Sequence, residues 1–417
     1  MLPKIQRHYY VLMPPTPDPA PLPKLKISAR GATRLKSGHV WVYRSDILST
    51  DNIPPGALIS VTDHRGKFLG TALYSSSSQI ALRLISHDPV PDLPALIRQR
   101  IAGAIAYREQ IVRDSNASRL IFSEADFLPG LIVDRYNDIL SVQILTQAMD
   151  RNLVRDSVIS ELILRTNPAA IVERVDPRVR ELETLPARPS GLLHGTKSSS
   201  TFTMNGVQFH FDALEGQKTG AFLDQRENYA AAAQYAHGEA LDVFCYQGGF
   251  ALHLARRCSQ VTGVDSSRPA LEVADQNAGL NRALIGQGLK GKEIEWIEAN
   301  AFDLLKDYAS SNRHYDTIVL DPPAFAKSKR DLDSALRGYK ELNLRALKML
   351  RPGGILVTCS CSYHVSQASF LEMLSDAAVD AHRTLRLIEI RGQAKDHPIL
   401  LNVPETAYLK CLIATVS

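Results

Sequence analysis

From about residue 213 to residue 417 the chain repeats one unit: a short apolar run, a turn, then a run with apolar residues at helical spacing. "ALDVFC" gives way to "FALHLARR", "QVTGVD" to "RPALEVADQNAGLN", and "EIEWIEA" to a helix from Phe302. "DTIVLD" precedes a long helix ending at "LRPGG", and "ILVTCSC" precedes "SQASFLEMLSDAA". Repeated strand–helix units with right-handed crossovers build a doubly wound parallel sheet, an α/β fold. The closing runs "TLRLIEI" and "YLKCLIATV" have no clear helix between them, which predicts a hairpin at one edge.

At 417 residues the chain exceeds what one core ordinarily organises, so two or three domains are expected. Residues 1–23 read as a disordered, Pro-rich leader; their apolar patch is short, broken by polar residues and followed by prolines, unlike a secretory signal. Residues 24–95 carry the alternating runs "HVWVY", "ALISVTD", "FLGTALY" and "IALRLIS", which predict a small β-barrel. The helical stretch "DLPALIRQRIAGAIAYREQIV" leads into residues 96–212, a small α+β piece. There "LPGLIVDRYNDILSVQIL" reads as two strands joined by an Asn-Asp turn, "MDRNLVRDSVISELILRT" as a helix and "AAIVERVD" as a strand. The turn-rich segment 187–201 reads as an exposed loop.

Hydrophobic residues make up 45% and charged residues 22%, a soluble globular balance, and no apolar run is long enough to span a bilayer. Five irregularly spaced cysteines argue against a disulfide framework and for a reducing cytoplasm. The net charge of +4 is small but uneven: between residues 24 and 50, Lys24, Lys26, Arg30, Arg34, Lys36 and Arg44 meet one acid, Asp46. That excess suits either a solvated basic face or a surface that grips phosphates.

Doubly wound sheets bind ligands at the carboxyl ends of their strands. The first strand ends in "LDVFCYQGGF", where Gly248 and Gly249 permit a tight turn and close approach of a ligand; the stretch lacks a pyrophosphate fingerprint. The second ends at Asp265, 23 residues after Asp242, the spacing of a ribose-binding acid, although a helix N-cap would also place an acid there. The third ends at Asn300, which suits reading an adenine edge and suits N-capping equally well. The fourth ends in "DPPAF", where two prolines hold Asp321 on a rigid turn with Phe325 close by. The related N/D-P-P-Y/F pattern is associated with methyl transfer to nucleobases.

The fifth strand ends in "TCSCSYHV". In the strand order usual for methyltransferases of this architecture the fourth and fifth strands are neighbours, about 4.8 Å apart, which predicts Cys361 beside Asp321. Cys-x-Cys with His364 has no second cluster to complete a metal site, so no metal is expected. A disulfide between positions i and i+2 is strained. Cys359, inside the apolar run, reads as core filler; Cys361, at the strand end, reads as a nucleophile.

At this point the sequence resembles the large-subunit ribosomal RNA 5-methylcytosine methyltransferases of the methyltransferase I type. The resemblance covers about 24–417 and rests on "SGHVWVY", "EADFLPGLIVDRYND", "GQKTGAFLDQREN", "CSCSYHV", "DHP" and "PETAYLKC". It implies an N-terminal PUA domain, a linking α+β domain and a class I, Rossmann-like domain that uses S-adenosyl-L-methionine. Carried over, the pattern puts the cofactor along Phe244, Tyr246, Gly248, Gly249, Asp265 and Asn300, with Arg226 ahead of the first strand. It makes Asp321 the base-reading acid and Cys361 the attacking thiol. RNA contacts are expected from Lys26, Arg30, Arg34 and Lys36, with Phe325 for stacking. Ribosomal RNA is the expected partner, a homodimer is left open, and no membrane is involved. Ala324 stands where some members carry lysine, and where the other class of RNA 5-methylcytosine enzymes has a second cysteine for product release.

The implied chemistry is thiolate addition at cytosine carbon 6, which makes carbon 5 nucleophilic, with Asp321 stabilising charge at ring nitrogen 3. A paired target base must first leave its stack. Two rival readings stand beside this one. "DPPAF" also permits methylation of an exocyclic amine on a purine, which needs no cysteine, and the basic barrel alone would suit a non-catalytic RNA-binding assembly protein.

Overall fold

The computed structural model describes residues 21–49, 52–214, 221–286, 288–289, 293–326 and 328–417. Residues 1–20 of the expected leader, and 216–220 within "GQKTGAFLDQREN", lie outside the described residues.

The N-terminal body comprises β1 (Lys24–Lys26), α1 (Ala29–Lys36), β2 (Trp41–Tyr43), β3 (Leu58–Thr62), β4 (Phe68–Tyr74) and β5 (Ile80–Ser86). Its sheet runs β1-β3-β4-β5-β2, with β1 parallel to β3 and the other neighbours antiparallel. The four alternating runs are all strands; β1 and α1 are additions. Helix α1 starts because the Ser28 hydroxyl accepts from the Gly31 N–H. It stops at Ser37–Gly38, where Gly38 takes a φ of +88°.

The linking region begins with α2 (Leu93–Ile111), capped by Asp92 with proline in its first turn. It continues with β6 (Ala117–Phe122), β7 (Leu131–Tyr136), β8 (Ile139–Ile144), α3 (Asn152–Thr166), β9 (Ala170–Glu173), α4 (Pro177–Leu182) and β10 (Gly191–Gly195). The Asn-Asp turn between β7 and β8 is present, with Asn137 at a φ of +57°. The sheet order is β10-β9-β8-β7-β6. Segment 187–201 is therefore not a loop throughout: β10 pairs antiparallel with β9, and β11 (Ser199–Met204) begins within it, pairing with β12 (Val207–Asp212). Two glycines bracket only three residues in β10, too few to show alternation, and the ladder is supplied by β9 from outside the segment.

The C-terminal domain opens with α5 (Arg226–Tyr235), followed by β13 (Glu239–Val243), α6 (Gly249–Leu254), β14 (Gln260–Asp265), α7 (Arg268–Leu280), α8 (Arg282–Ile285) and β15 (Glu295–Glu298). Then come α9 (Ala301–Ser310), β16 (Tyr315–Leu320), α10 (Leu332–Met349), β17 (Leu350–Ser360), α11 (Gln367–Asp380), β18 (Leu385–Arg391) and β19 (Lys410–Val416). The order β15-β14-β13-β16-β17-β19-β18 is parallel except for β19, which is antiparallel to both neighbours. The expected edge hairpin is thus β18–β19, with β19 inserted against β17. Because the chain steps from β15 back past β13 to β16, a crevice opens at the carboxyl ends of β13 and β16.

Both faces of this sheet are covered, which is why its strands read as continuous apolar runs. On one face Leu241, Ile318 and Leu320 meet Leu342, Ala346 and Phe370. On the other, Phe202, Phe209 and Phe211 of the β11–β12 hairpin meet Ala251, Leu252 and Val319. The connection between β18 and β19 leaves its own domain. Val403 is fully buried in the core of the N-terminal body, and His39 Nε2 lies 3.3 Å from Glu405 Oε2.

Candidate active site

The turn after β13 is held in an uncommon shape. Phe244 and Tyr246 take φ values of +68° and +50°, and Gly248 takes +82°. Left-handed backbone at a residue with a Cβ costs about 1–3 kcal/mol and persists only where neighbours enforce it. Asp265 does so: its Oδ2 accepts from the Tyr246 N–H at 2.9 Å and its Oδ1 from the Ser267 N–H at 2.9 Å. The cap of α7 is Ser267, whose hydroxyl accepts from Ala270, so Asp265 is not the N-cap. Each carboxylate oxygen has a second lone pair for a ligand. Gly249 cannot be replaced without collision, since a Cβ there would lie 2.5 Å from the Tyr229 hydroxyl.

A cleft opens above this turn, lined among others by Phe222, Tyr229, Phe244, Tyr246, Gly249 and Asp321. Asp321 lines it, and Asp242 and Asp265 stand on the adjoining strands β13 and β14. Asp242 is fully buried; its Oδ2 accepts from the Ala251 N–H at 2.8 Å, while Oδ1 has no partner. Burial, with the nearby Asp321 and Asp265 charges adding, pushes its carboxyl up to about 8. Asp321 is raised to about 7, by burial first and by Asp224 second, against hydrogen bonds from Gln225 and Cys359 that pull it down. Gln225 Nε2 donates to Asp321 Oδ1 at 2.9 Å. Carboxyls raised by burial and by one another's charge favour a positively charged ligand beside them.

The strand register corrects one expectation. Strands β16 and β17 are neighbours, but Leu320 pairs with Thr358, so Asp321 stands level with Cys359 rather than Cys361. Cys359 is fully buried, pairs with Cys411 across the ladder, and hydrogen-bonds to Asp321. Burial drives its thiol well above the usual range. Cys361 comes two residues later, half-buried, with Sγ 3.9 Å from the carbonyl oxygen of Pro322. It therefore reaches the turn that carries Asp321.

Other expected residues stand apart from the cleft. Arg226 is 1% exposed; its guanidinium donates to both oxygens of Asp396 (2.7 and 3.1 Å) and to Glu227 at 2.8 Å. Its partners are structural ones. Asn300 caps α9, its Oδ1 accepting from Phe302 and Asp303, and is not among the residues lining the cleft. Phe325 rests against Tyr339, ring centroids 4.7 Å apart, so one face belongs to the core. Arg30 and Arg34 both bond the buried Asp46, at 2.7 and 2.9 Å, and Lys36 lies 3.9 Å from Asp63. Lys26 is exposed on β1. Sequence motifs do not single out Gln225, Tyr229 or Lys410, although "LDQREN" and "YLKC" contain two of them; their roles come from tertiary contacts that spacing does not reveal.

The fold and this cleft at the carboxyl ends of β13 and β16 define an S-adenosylmethionine-dependent methyltransferase carrying an accessory N-terminal domain. Residues 164–414 match the family model for S-adenosylmethionine-dependent methyltransferases, and residues 25–87 match a PUA-like domain. The chain belongs to the ribosomal RNA large subunit methyltransferase I family. It is 37% identical over 402 residues to the protein of that name from Shewanella denitrificans, covering 94% of this chain and 99% of the relative. The Shewanella frigidimarina relative is 36% identical over the same shares. A SAM-dependent methyltransferase structure from Streptococcus mutans shares the fold with a TM-score of 0.79 at 19% identity, covering 94% of this chain and all of that one. Among the described residues no helix is long and apolar enough to cross a membrane.

The residues fit the cofactor. It is a cation, Asp321 lines the cleft, Asp242 Oδ1 on the adjoining strand lacks a partner among the described residues, and Asp265 can accept from a ribose. Asp265→Ala is expected to weaken S-adenosylmethionine binding more than tenfold in calorimetry, since two charge-assisted hydrogen bonds of roughly 1.5–3 kcal/mol each are at stake. An unchanged dissociation constant would leave Asp265 with only its turn-holding role.

Proposed function

We propose that this protein forms 5-methylcytosine in large-subunit ribosomal RNA, with Cys361 as covalent nucleophile and Asp321 as the acid that reads the base. One observation carries the reading: a half-buried thiol at the carboxyl end of β17 reaches the Asp321 turn, while the other thiol in reach of that turn is sealed in the core. An exocyclic-amine methylase would need the acid turn but not the thiol. The names of the relatives and the PUA-like domain support ribosomal RNA as substrate.

S-adenosylmethionine supplies the electrophilic methyl group. Carbon 5 of cytosine is a poor nucleophile until the Cys361 thiolate adds at carbon 6 and sends an electron pair into the ring. Asp321, protonated below about 7, donates to nitrogen 3 and takes up the charge that develops there. Carbon 5 then carries the pair that accepts the methyl. Return of the nitrogen-3 proton to Asp321, transfer of the carbon-5 proton to solvent and expulsion of the thiolate restore the ring. Mass mapping of RNA from a strain lacking the gene should show one missing 5-methylcytosine, and RNA carrying 5-fluorocytosine should trap an adduct on Cys361. A missing methyl on a purine amine, with no adduct, would sink the proposal.

Two further outcomes follow from the same reading. Because Asp321 must hold its proton, the rate with saturating RNA should fall as pH rises through about 7. Asp321→Asn should remove that falling limb along with much of the rate; a limb that persists in the variant belongs to another group. Replacing Lys26, Arg30, Arg34 and Lys36 with alanine should weaken RNA binding and leave cofactor affinity untouched. The salt slope should flatten by up to about one for each phosphate that is no longer neutralised. Asp46 already neutralises part of this basic set, so the change should be smaller than four phosphates would give. Equal RNA affinity at every salt concentration would assign these charges to the solvated face alone.

A further inference from the structure

Lys410 opens β19, opposite Ser360 in the ladder, and only 7% of it is exposed. Its Nζ donates to the carbonyl oxygens of Ser362 at 2.6 Å and Tyr408 at 2.8 Å. These two acceptors fix the ammonium but do not neutralise it, and among the described residues no ion pair includes Lys410. A buried cation without a counter-charge is costly, and an anion nearby relieves that cost. Cys361 lies between Ser360, the ladder partner of Lys410, and Ser362, whose carbonyl holds the ammonium. The stretch that carries this thiol is pinned on its far side: the Ser362 hydroxyl meets the Ala326 N–H at 3.2 Å and the Tyr339 hydroxyl at 3.0 Å.

We propose that Lys410 is a positioning residue whose fixed cationic group stabilises the Cys361 thiolate. The inference rests on the reading of Cys361 as the nucleophile. Burial lowers the Lys410 ammonium to about 8, and Cys361 opposes that shift. Transfer of the thiol proton to the neutral amine gives thiolate and ammonium with no change in net charge. When sulfur bonds carbon 6 its electron pair passes into the ring, and on expulsion the returning thiolate meets the same ammonium. Among the described residues Tyr339 on α10 also interacts with Cys361; burial raises its hydroxyl first, and it is neutral in this range. Asp321, on the β16 side, keeps its proton up to about 7 and so adds little negative charge below that point.

The test is the pH dependence of Cys361 alkylation by iodoacetamide in the full-length protein, read at that residue by peptide mass. The wild-type midpoint should lie at least a unit below the ordinary thiol value of about 8.5. Lys410→Met should bring it to that value or above and slow alkylation at pH 7 at least tenfold, while Lys410→Arg should stay close to wild type. Equal midpoints in wild type and Lys410→Met would overturn the proposal. So would a wild-type midpoint at or above the ordinary value, which decides the matter even if Lys410→Met fails to fold. Alkylation needs neither RNA nor cofactor. If Cys361→Ala still methylates cytosine, the functional reading fails while the alkylation profile still reports on the pair.

Discussion

Cys361→Ala is expected to abolish methyl transfer, by at least about 10⁴-fold, the scale on which loss of a covalent nucleophile shows in other enzymes. Cys359→Ala is expected to retain most of the activity. The two thiols are separated by one residue but differ in every property that matters. Cys359 is fully buried, faces Cys411 across the ladder and is driven toward its neutral form, so it cannot be a thiolate near pH 7. Its removal deletes one small buried group, a change of about 1 kcal/mol in stability, and one hydrogen bond to Asp321. Losing that bond should raise the Asp321 carboxyl and move the falling limb of the pH profile upward, without removing the chemistry. Single-turnover rates on target RNA check both variants. Equal loss in the two, or activity retained in Cys361→Ala, would take the nucleophile's role away from Cys361.

Arg226→Ala is expected to destabilise the protein by about 3–5 kcal/mol, the cost of leaving a buried charge without its partner. The charge left behind is Asp396. Burial opposes its ionised form, yet His397 and Arg226 hold its carboxyl well below the usual carboxylate range. Burial likewise works against the Arg226 cation, and Asp396 more than offsets it. Asp396 Oδ2 also accepts from the Arg119 N–H of β6 at 2.8 Å, and the Asp396 carbonyl accepts from the buried Arg108 of α2 at 2.9 Å. The variant thus unpairs a joint between the linking sheet and the methyltransferase domain. Thermal melts should show a lowered first transition, and Asp396→Ala should match it. Unchanged melting with weakened cofactor binding would instead return Arg226 to the cofactor role read from sequence.

The parallel sheet was legible because period and length agree at every strand–helix unit. Turn residues such as Asn137 and caps such as Ser267 punctuate it in the expected places. Helix α1 was legible in principle, from Ser28 at its start and Gly38 at its end, but its two turns sit among strands and its basic residues signal charge more strongly than period. The β10 strand was not legible, since its ladder partner lies outside it. At the site, the strand ends direct attention to Asp265, Asp321 and Cys361, which close β14 and follow β16 and β17. Register decided what spacing could not: a shift of two residues along β17 exchanges which thiol touches Asp321. Arg226 misled because a charged residue in a matching motif reads as ligand-binding until its buried partner, 170 positions away, is seen.

The connection between β18 and β19 bears on how such a chain can be cut and rejoined. Val403, from near the C-terminus, completes the hydrophobic centre of residues 24–86, and Gly38 leaves the space that Asn402 enters. The N-terminal body is therefore not a cassette. Moved onto another protein, it would carry an apolar hole where Val403 belongs; deleted from this one, it would strand Val403 in water beside the segment that holds both Asp396 and Lys410. Recombination between distant relatives must exchange the two ends of the gene together, or neither.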